Sequence, residues 1–323
     1  MPAPAHLSPG TSPLRRLLQA ADAWLRADLP ATRLAALRCL IGGFATIYLA
    51  IRVIHLISFV DFPARSFAPV GVINLLSAPL PPALVIGGVL LALPLGVAFT
   101  LGWRFAVTGP AFAAALLWVL SYRNSWGMIF HTENLMVAHV IVLGLARSAD
   151  AWSLDARRAP PPPAPHAHGW PVRLMALITV ATYFLAGVAK LRLSGLDWVS
   201  SDLLRNYIAY DNLRKLELGD AYSPLGAALV NRAWLFPPLA GLSLALELLA
   251  PLALLGPRLA RVWSLGALGF HLGVLAVMAI FFPYPLLGLA FAPLFAAERL
   301  PIWRWLRLAP LHPGRGPGAL GRS

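Results

Sequence analysis

YFLAGVAKLRLSGLDW, residues 183–198, carries a lysine at the end of an otherwise apolar helical pattern. All but two of the 26 Lys and Arg residues in the chain are arginines, and Lys190 is one of the exceptions, Lys215 the other. Back from Lys190 the apolar pattern runs to about 171, roughly 20 residues, the length that crosses a bilayer core. At about 100° per residue, Thr179, Thr182, Tyr183, Ala186, Gly187 and Lys190 share one arc of about 140°. Val180, Ala181, Phe184, Leu185 and Val188 lie outside it. One face is therefore small and polar and ends in an amine, while the other suits lipid. Ala186 and Gly187 leave room for a second helix to approach. Arginine snorkels from a helix end as well as lysine does, but a desolvated lysine can lose its proton and act as a base. Lysine in a chain built on arginine thus favours acid–base chemistry here.

The rest of the chain has the same membrane character. Of 323 residues, 59% are hydrophobic and 12% charged, with a mean hydropathy of +0.71. Soluble domains carry roughly 25% charged residues, so this composition points to a polytopic membrane protein. The formal charge of +13 does not indicate a nucleic-acid partner. The arginines lie between apolar runs, as in membrane loops, and not on one solvated face. The single cysteine, Cys39, excludes an intramolecular disulfide and thiolate metal clusters.

About eight transmembrane helices are expected, at approximately 33–55, 81–102, 105–121, 129–147, 171–190, 233–255, 261–281 and 283–297, in an all-α bundle. Arginine accumulates on the loops that share a side with both ends of the chain. This predicts an N-in, C-in orientation in the plasma (inner) membrane, with Lys190 on the outer side. Residues 1–30 read as a cytoplasmic segment, in which PLRRLLQAADAWLRADL (13–29) has the leucine spacing of an amphipathic surface helix. The transmembrane domain, 31–297, is interrupted by a proline-rich linker at 159–170, and 298–323 reads as a basic, disordered tail. His166 and His168 form an H-x-H pair in the linker without a further ligand, so no metal site is expected.

An ionisable group inside a span costs roughly 2.5–3.5 kcal/mol even on the permissive insertion scale, so each asks for a reason. The candidates are Arg38, Arg52, His55, His131, Glu133, Asn134, His139, Lys190, Glu247 and His271. A helix from about residue 130 puts His131, Asn134 and His139 on one broad face, with Glu133 pointing elsewhere. Thr132 as a helix cap, with Glu133 at the positive helix end, is the plain alternative. His271 lies about 15 Å deep and Glu247 about 12 Å from the inner side, which would let them pair near mid-membrane. On these boundaries Lys190 does not reach His271 directly, and a pocket joining them has to be deep and open outward.

With these residues located, the segment around Lys190 resembles the tyrosine–aromatic–x–alanine–glycine–x–x–lysine–leucine segment of the vitamin K-dependent gamma-carboxylases. It also resembles the wider HTTM (horizontally transferred transmembrane) domain family that shares it. GFHLGVLAVMAIFFPYPLLGLAFAPLF (269–295) resembles the family's histidine-bearing helix and Phe-Pro-Tyr turn. NSWGMIFHTENLMVAHVIVLGLARSADAWSLD (124–155) is similar to its helix with polar residues at the start and a Ser-x-Asp exit. The resemblance implies a catalytic Lys190 and His271 and sets His131 to Asn134 near the family's catalytic polar cluster; together with the polar residues of the spans this gives His131, Glu133, Asn134, Tyr183 and Glu247 as substrate-binding candidates. It implies lyase or epoxidase-type chemistry in which the lysine deprotonates a reduced, vitamin K-like quinone, with an exported peptide or protein as a further partner. Carboxylases carry two adjacent lysines here, whereas Ala189 precedes Lys190. They also continue into a large extramembrane region that holds a protein substrate, so a small lipophilic substrate is the better expectation. The alternative is a non-enzymatic membrane module that assists the maturation of an exported protein.

Overall fold

A computed structural model describes residues 12–159, 161 and 167–305, and among them every regular element is helical. The main helices are α1 (Pro13–Arg26), α2 (Ala31–Ile57), α3 (Pro82–Leu101), α4 (Phe105–Arg123) and α5 (Asn134–Leu145). They continue as α6 (Gly169–Ser194), α7 (Leu203–Glu217), α8 (Pro224–Leu229), α9 (Phe236–Leu248) and α10 (Pro257–Met278). Five of them, α2, α3, α4, α6 and α10, are long and apolar enough to cross a membrane.

The expected count of about eight is not confirmed among the described residues. α5 has 12 residues and α9 has 13, so each extends only about 18–20 Å against a hydrocarbon core of about 30 Å. The stretch 283–297 is not one helix. It makes a single turn at Pro283–Leu286 and a 3-10 segment at Leu289–Leu294. Gly288 between them has φ +74°, and Pro293 removes a further donor. Apolar composition alone does not distinguish a crossing helix from a buried, broken segment.

α2 packs on α3, α3 on α4 and α4 on α5, around a core that includes Leu37, Ile41, Phe99, Phe112, Leu116 and Met136. α4 and α5 cross at two glycines. A Cβ on Gly109 would lie 2.7 Å from the Gly144 carbonyl oxygen, so no larger residue fits without separating the helices.

One charge sits wholly inside this core. Arg38 has no exposed surface and donates to the carbonyls of Ser148 (3.0 Å), Phe99 (3.2 Å), Thr100 (2.6 Å), Ala151 (3.4 Å) and Trp152 (2.6 Å). Its planar fork of donors joins the end of α3 to the chain leaving α5, where helix-end carbonyls have no intrahelical partner. The Ser-x-Asp exit has a related task. Asp155 accepts from the backbone N–H groups of Arg104 (2.8 Å) and Phe105 (2.7 Å) and so caps α4, while Ser153 caps the short helical turn at Leu154–Arg158.

The other lysine is structural. α7 and α8 close over the C-terminal end of α10, with Lys215 donating to Met278 O (2.5 Å) and Asn212 to Val277 O (2.9 Å). Ser223 donates to Ala276 O (2.5 Å) and accepts from Gly226 N (2.9 Å). α8 approaches so closely that a Cβ on Gly226 would lie 1.9 Å from Val277 O. Ser223→Ala removes two contacts at this cap, and the expected loss is about 1–2 kcal/mol, read as a lowered melting temperature of the protein in detergent. An unchanged melt would show that the cap adds nothing to stability.

The segment 1–30, the linker 159–170 with its histidine pair, and the tail fall partly outside the described residues. His168 pairs with Asp150 (2.9 Å), while His166 lies outside them, as does the tail from residue 306.

Candidate functional site

The site begins with a close helix contact. On α6, Gly187 is so near α9 that an added Cβ would lie 3.0 Å from the Glu247 side chain. Lys190 stands one turn later. Helical side chains tilt toward the N-terminus of their helix, so the lysine runs back over the space Gly187 leaves open. Its amine there forms an ion pair with Glu247. The Glu247 side chain is 4% exposed and that of Lys190 22%. The amine also lies 5.0 Å from the centre of the Trp198 ring, a placement a cation favours. The lysine thus turns inward instead of snorkelling outward.

One further turn down, the Tyr183 hydroxyl hydrogen-bonds Nε2 of His271 (2.7 Å) on α10. Trp263 and Phe282 flank this pair, at ring separations of 5.1 Å from Tyr183 and 5.0 Å from His271. The anticipated Glu247–His271 pair does not form. Glu247 turns to Lys190 and His271 to Tyr183, so both take their partners from α6.

Lys190, Glu247, Tyr183, His271 and His131 all line one cavity of about 360 Å³, within the usual range of small-molecule pockets. The rest of its wall is mainly apolar, with Leu135, Ala186, Phe270 and Val274 among the lining residues. The cavity does join Lys190 to His271. Two buried atoms of this group have no protein partner: Oε2 of Glu247 and Nδ1 of His271. Buried polar atoms are normally satisfied, and such exceptions mark strain, chemistry or a missing ligand.

The other candidates separate from this group. Glu133 faces the opposite way, bonded to the Tyr48 hydroxyl and to Arg123 at 3.1 Å, in a buried cluster that Arg52 extends over the Tyr48 ring. It precedes α5, and its side chain does not cap the helix. Asn134 begins α5 and is absent from the cavity wall, whereas its neighbours His131 and Thr132 belong to it. His139, expected on the same face as His131, is completely buried. It contacts Tyr284 (2.7 Å), Met175 O (3.2 Å) and Thr179 (3.2 Å), a network that fixes α5 and α6 to the broken C-terminal segment.

The ion pair and the Tyr–His pair, three of whose four residues stand on helices long enough to cross a membrane, define a helical membrane protein with a polar-ended, mainly apolar pocket. The chain belongs to the HTTM family: the model of the HTTM domain matches residues 27–299, which include every residue of the pocket. Comparison with curated proteins and with solved structures gives no match.

Proposed function

We propose that this protein is a membrane enzyme in which the Lys190–Glu247 pair takes a proton from the hydroxyl of a lipophilic substrate, a reduced quinone being the class that fits best. The observation that carries this reading is that Glu247 and His271, each with a buried side-chain atom that has no partner (Oε2 and Nδ1), both line one mainly apolar cavity together with Lys190 and Tyr183. An apolar ring with a hydroxyl matches both parts of that wall. When Tyr183 donates to Nε2, neutral His271 holds its proton on Nδ1 and offers it to a substrate oxygen. The Lys190–Glu247 contact supplies the base. A substrate that expels water from the cavity removes the solvation that favours two opposite charges, and the shared proton then moves to give neutral amine and neutral acid.

The gamma-carboxylase resemblance supports the same residues, since it places a catalytic lysine at Lys190. A bound reduced quinone would supply the oxygenation and carboxylation-type chemistry of that family. The arginine distribution supports an inner-membrane protein with this cavity on the outer side.

One observation favours a different reading. Lys190 and Glu247 neutralise each other and Tyr183 bonds His271, so all four also serve as helix contacts in a non-enzymatic module that assists an exported protein. Extraction of the purified protein with organic solvent separates the two. Wild type is expected to release a quinone-like species that Lys190→Ala lacks, and Lys190→Arg is expected to fold while losing turnover of a reduced quinone. No enriched lipophile in wild type, or full turnover with arginine, would refute the enzyme reading.

A further inference from the structure

A second cavity, of about 210 Å³, lies at the other end of α6. Arg173, on its wall, is about 25 Å along that helix from Lys190. Four parts of the chain converge there: Trp24 of α1, Arg33 in the first turn of α2, Arg173 in the first turn of α6, and the start of α10. α1 is held tightly in place, since Arg173 donates to Ala27 O (3.1 Å) and its guanidinium lies 5.2 Å from the centre of the Trp24 ring. A Cβ on Gly169 would lie 2.0 Å from the same carbonyl.

The charges in this cavity do not balance. Arg33 is bound in both directions by Glu298, at 2.9 and 3.0 Å. Arg173 has a carbonyl and an aromatic face for partners, with no carboxylate salt-bridged to it among the described residues, and Arg33 acts on it as a like charge. Both guanidinium groups are half-buried. A cation of this kind between membrane helices has donors to spare in a place where water is scarce. The first turn of α10 adds uncapped backbone beside it. The remaining wall is apolar, with Ala253, Leu254 and Leu294 among its residues.

We propose that this cavity binds one phosphate-bearing anion, and that the anion is the headgroup of an anionic phospholipid whose glycerol and upper acyl chains cover the apolar wall. Arg173 holds the phosphate as a charge-assisted donor, and Trp24 closes the site from α1. Basic pockets between membrane helices commonly take such headgroups. The site is independent of the chemistry proposed around Lys190, and it ties the surface helix α1 to the bundle through a lipid.

The test is native mass spectrometry of the full chain released from micelles containing dioleoyl-phosphatidylglycerol or dioleoyl-phosphatidylcholine, each alone. The expected result is one phosphatidylglycerol retained per chain, little phosphatidylcholine, and a loss of roughly tenfold or more in phosphatidylglycerol retention for Arg173→Gln. Arg173→Lys, which keeps the charge, should recover part of the retention, and Arg65→Gln in a distant exposed loop should leave it unchanged. Melting in detergent is measured alongside with inorganic phosphate as the soluble probe, which should stabilise far less than phosphatidylglycerol. Equal retention of the two lipids, or full retention by Arg173→Gln, would overturn the site. Phosphate that stabilises as strongly as phosphatidylglycerol would overturn the lipid as its source. If Arg173→Gln fails to fold, the lysine variant and the comparison of the two lipids on wild type still decide.

Discussion

Arg38→Leu is expected to abolish recovery of monodisperse protein from detergent, a loss of about 3–5 kcal/mol. The guanidinium donates to five carbonyls on two parts of the chain at once, of which Phe99 O also accepts from Gly102 N (3.0 Å). Each buried carbonyl left unpaired costs about 1–3 kcal/mol at most, and partial relaxation makes the total smaller than the sum. Arg38→Lys is expected to fall between the two, because one ammonium has three donors on a single centre and cannot span the end of α3 and the segment 148–152 together. Size-exclusion profiles and melting curves in one detergent measure this series. A wild-type melt for Arg38→Leu would show that the carbonyls find water or other partners, and that the arginine is not what joins these segments.

The second large effect concerns Lys190 and Glu247. Lys190→Met alone leaves a buried carboxylate without its partner, and Glu247→Leu alone leaves an amine in an apolar wall. Either is expected to cost about 3–5 kcal/mol. The double variant replaces the ion pair with two apolar side chains of similar size and is expected to regain most of that loss. Stability therefore recovers in the double variant whether the pair is structural or chemical. Turnover of a reduced quinone should not: the proposal expects a folded, inactive protein. A double variant that is both stable and active would remove the pair from the chemistry and leave it only as a helix contact. Single variants that melt like wild type would mean that water already reaches the pair and weakens it.

Much of this site is legible in the chain. The small, polar stripe from Thr179 to Lys190 follows from helical periodicity, and Gly187 on that stripe is where α9 approaches. The family is legible too, because its motifs are local: a lysine segment, a histidine helix and a Ser-x-Asp exit each sit within a few turns. Partner choice is not local. Glu247 and His271 looked like neighbours by depth, yet each bonds to α6, since depth along a helix says nothing about rotation around it. The scarcity of lysine also proved a weaker signal than it looked, because Lys215 is retained to cap α10 and has no part in the pocket. Glu133, which the family resemblance sets beside His131 but helical spacing points elsewhere, turns to Tyr48 and Arg123.

The span count shows the same division. Hydropathy marks 129–147, 233–255 and 283–297 as apolar, and so they are, but α5 begins only at Asn134, and prolines and Gly288 interrupt the other two. By itself the sequence determined that this is a helical membrane protein of one family, with a base-capable amine at the end of a polar stripe. Those properties depend on composition, period and short motifs, each readable along the chain. Only the tertiary structure decided that the amine turns inward to Glu247, that Tyr183 and His271 share its cavity, and that Arg38 and Arg173 serve different ends. Those outcomes depend on how helices distant in sequence rotate and approach, which is set by packing at a few glycines and by where buried polar groups find their partners.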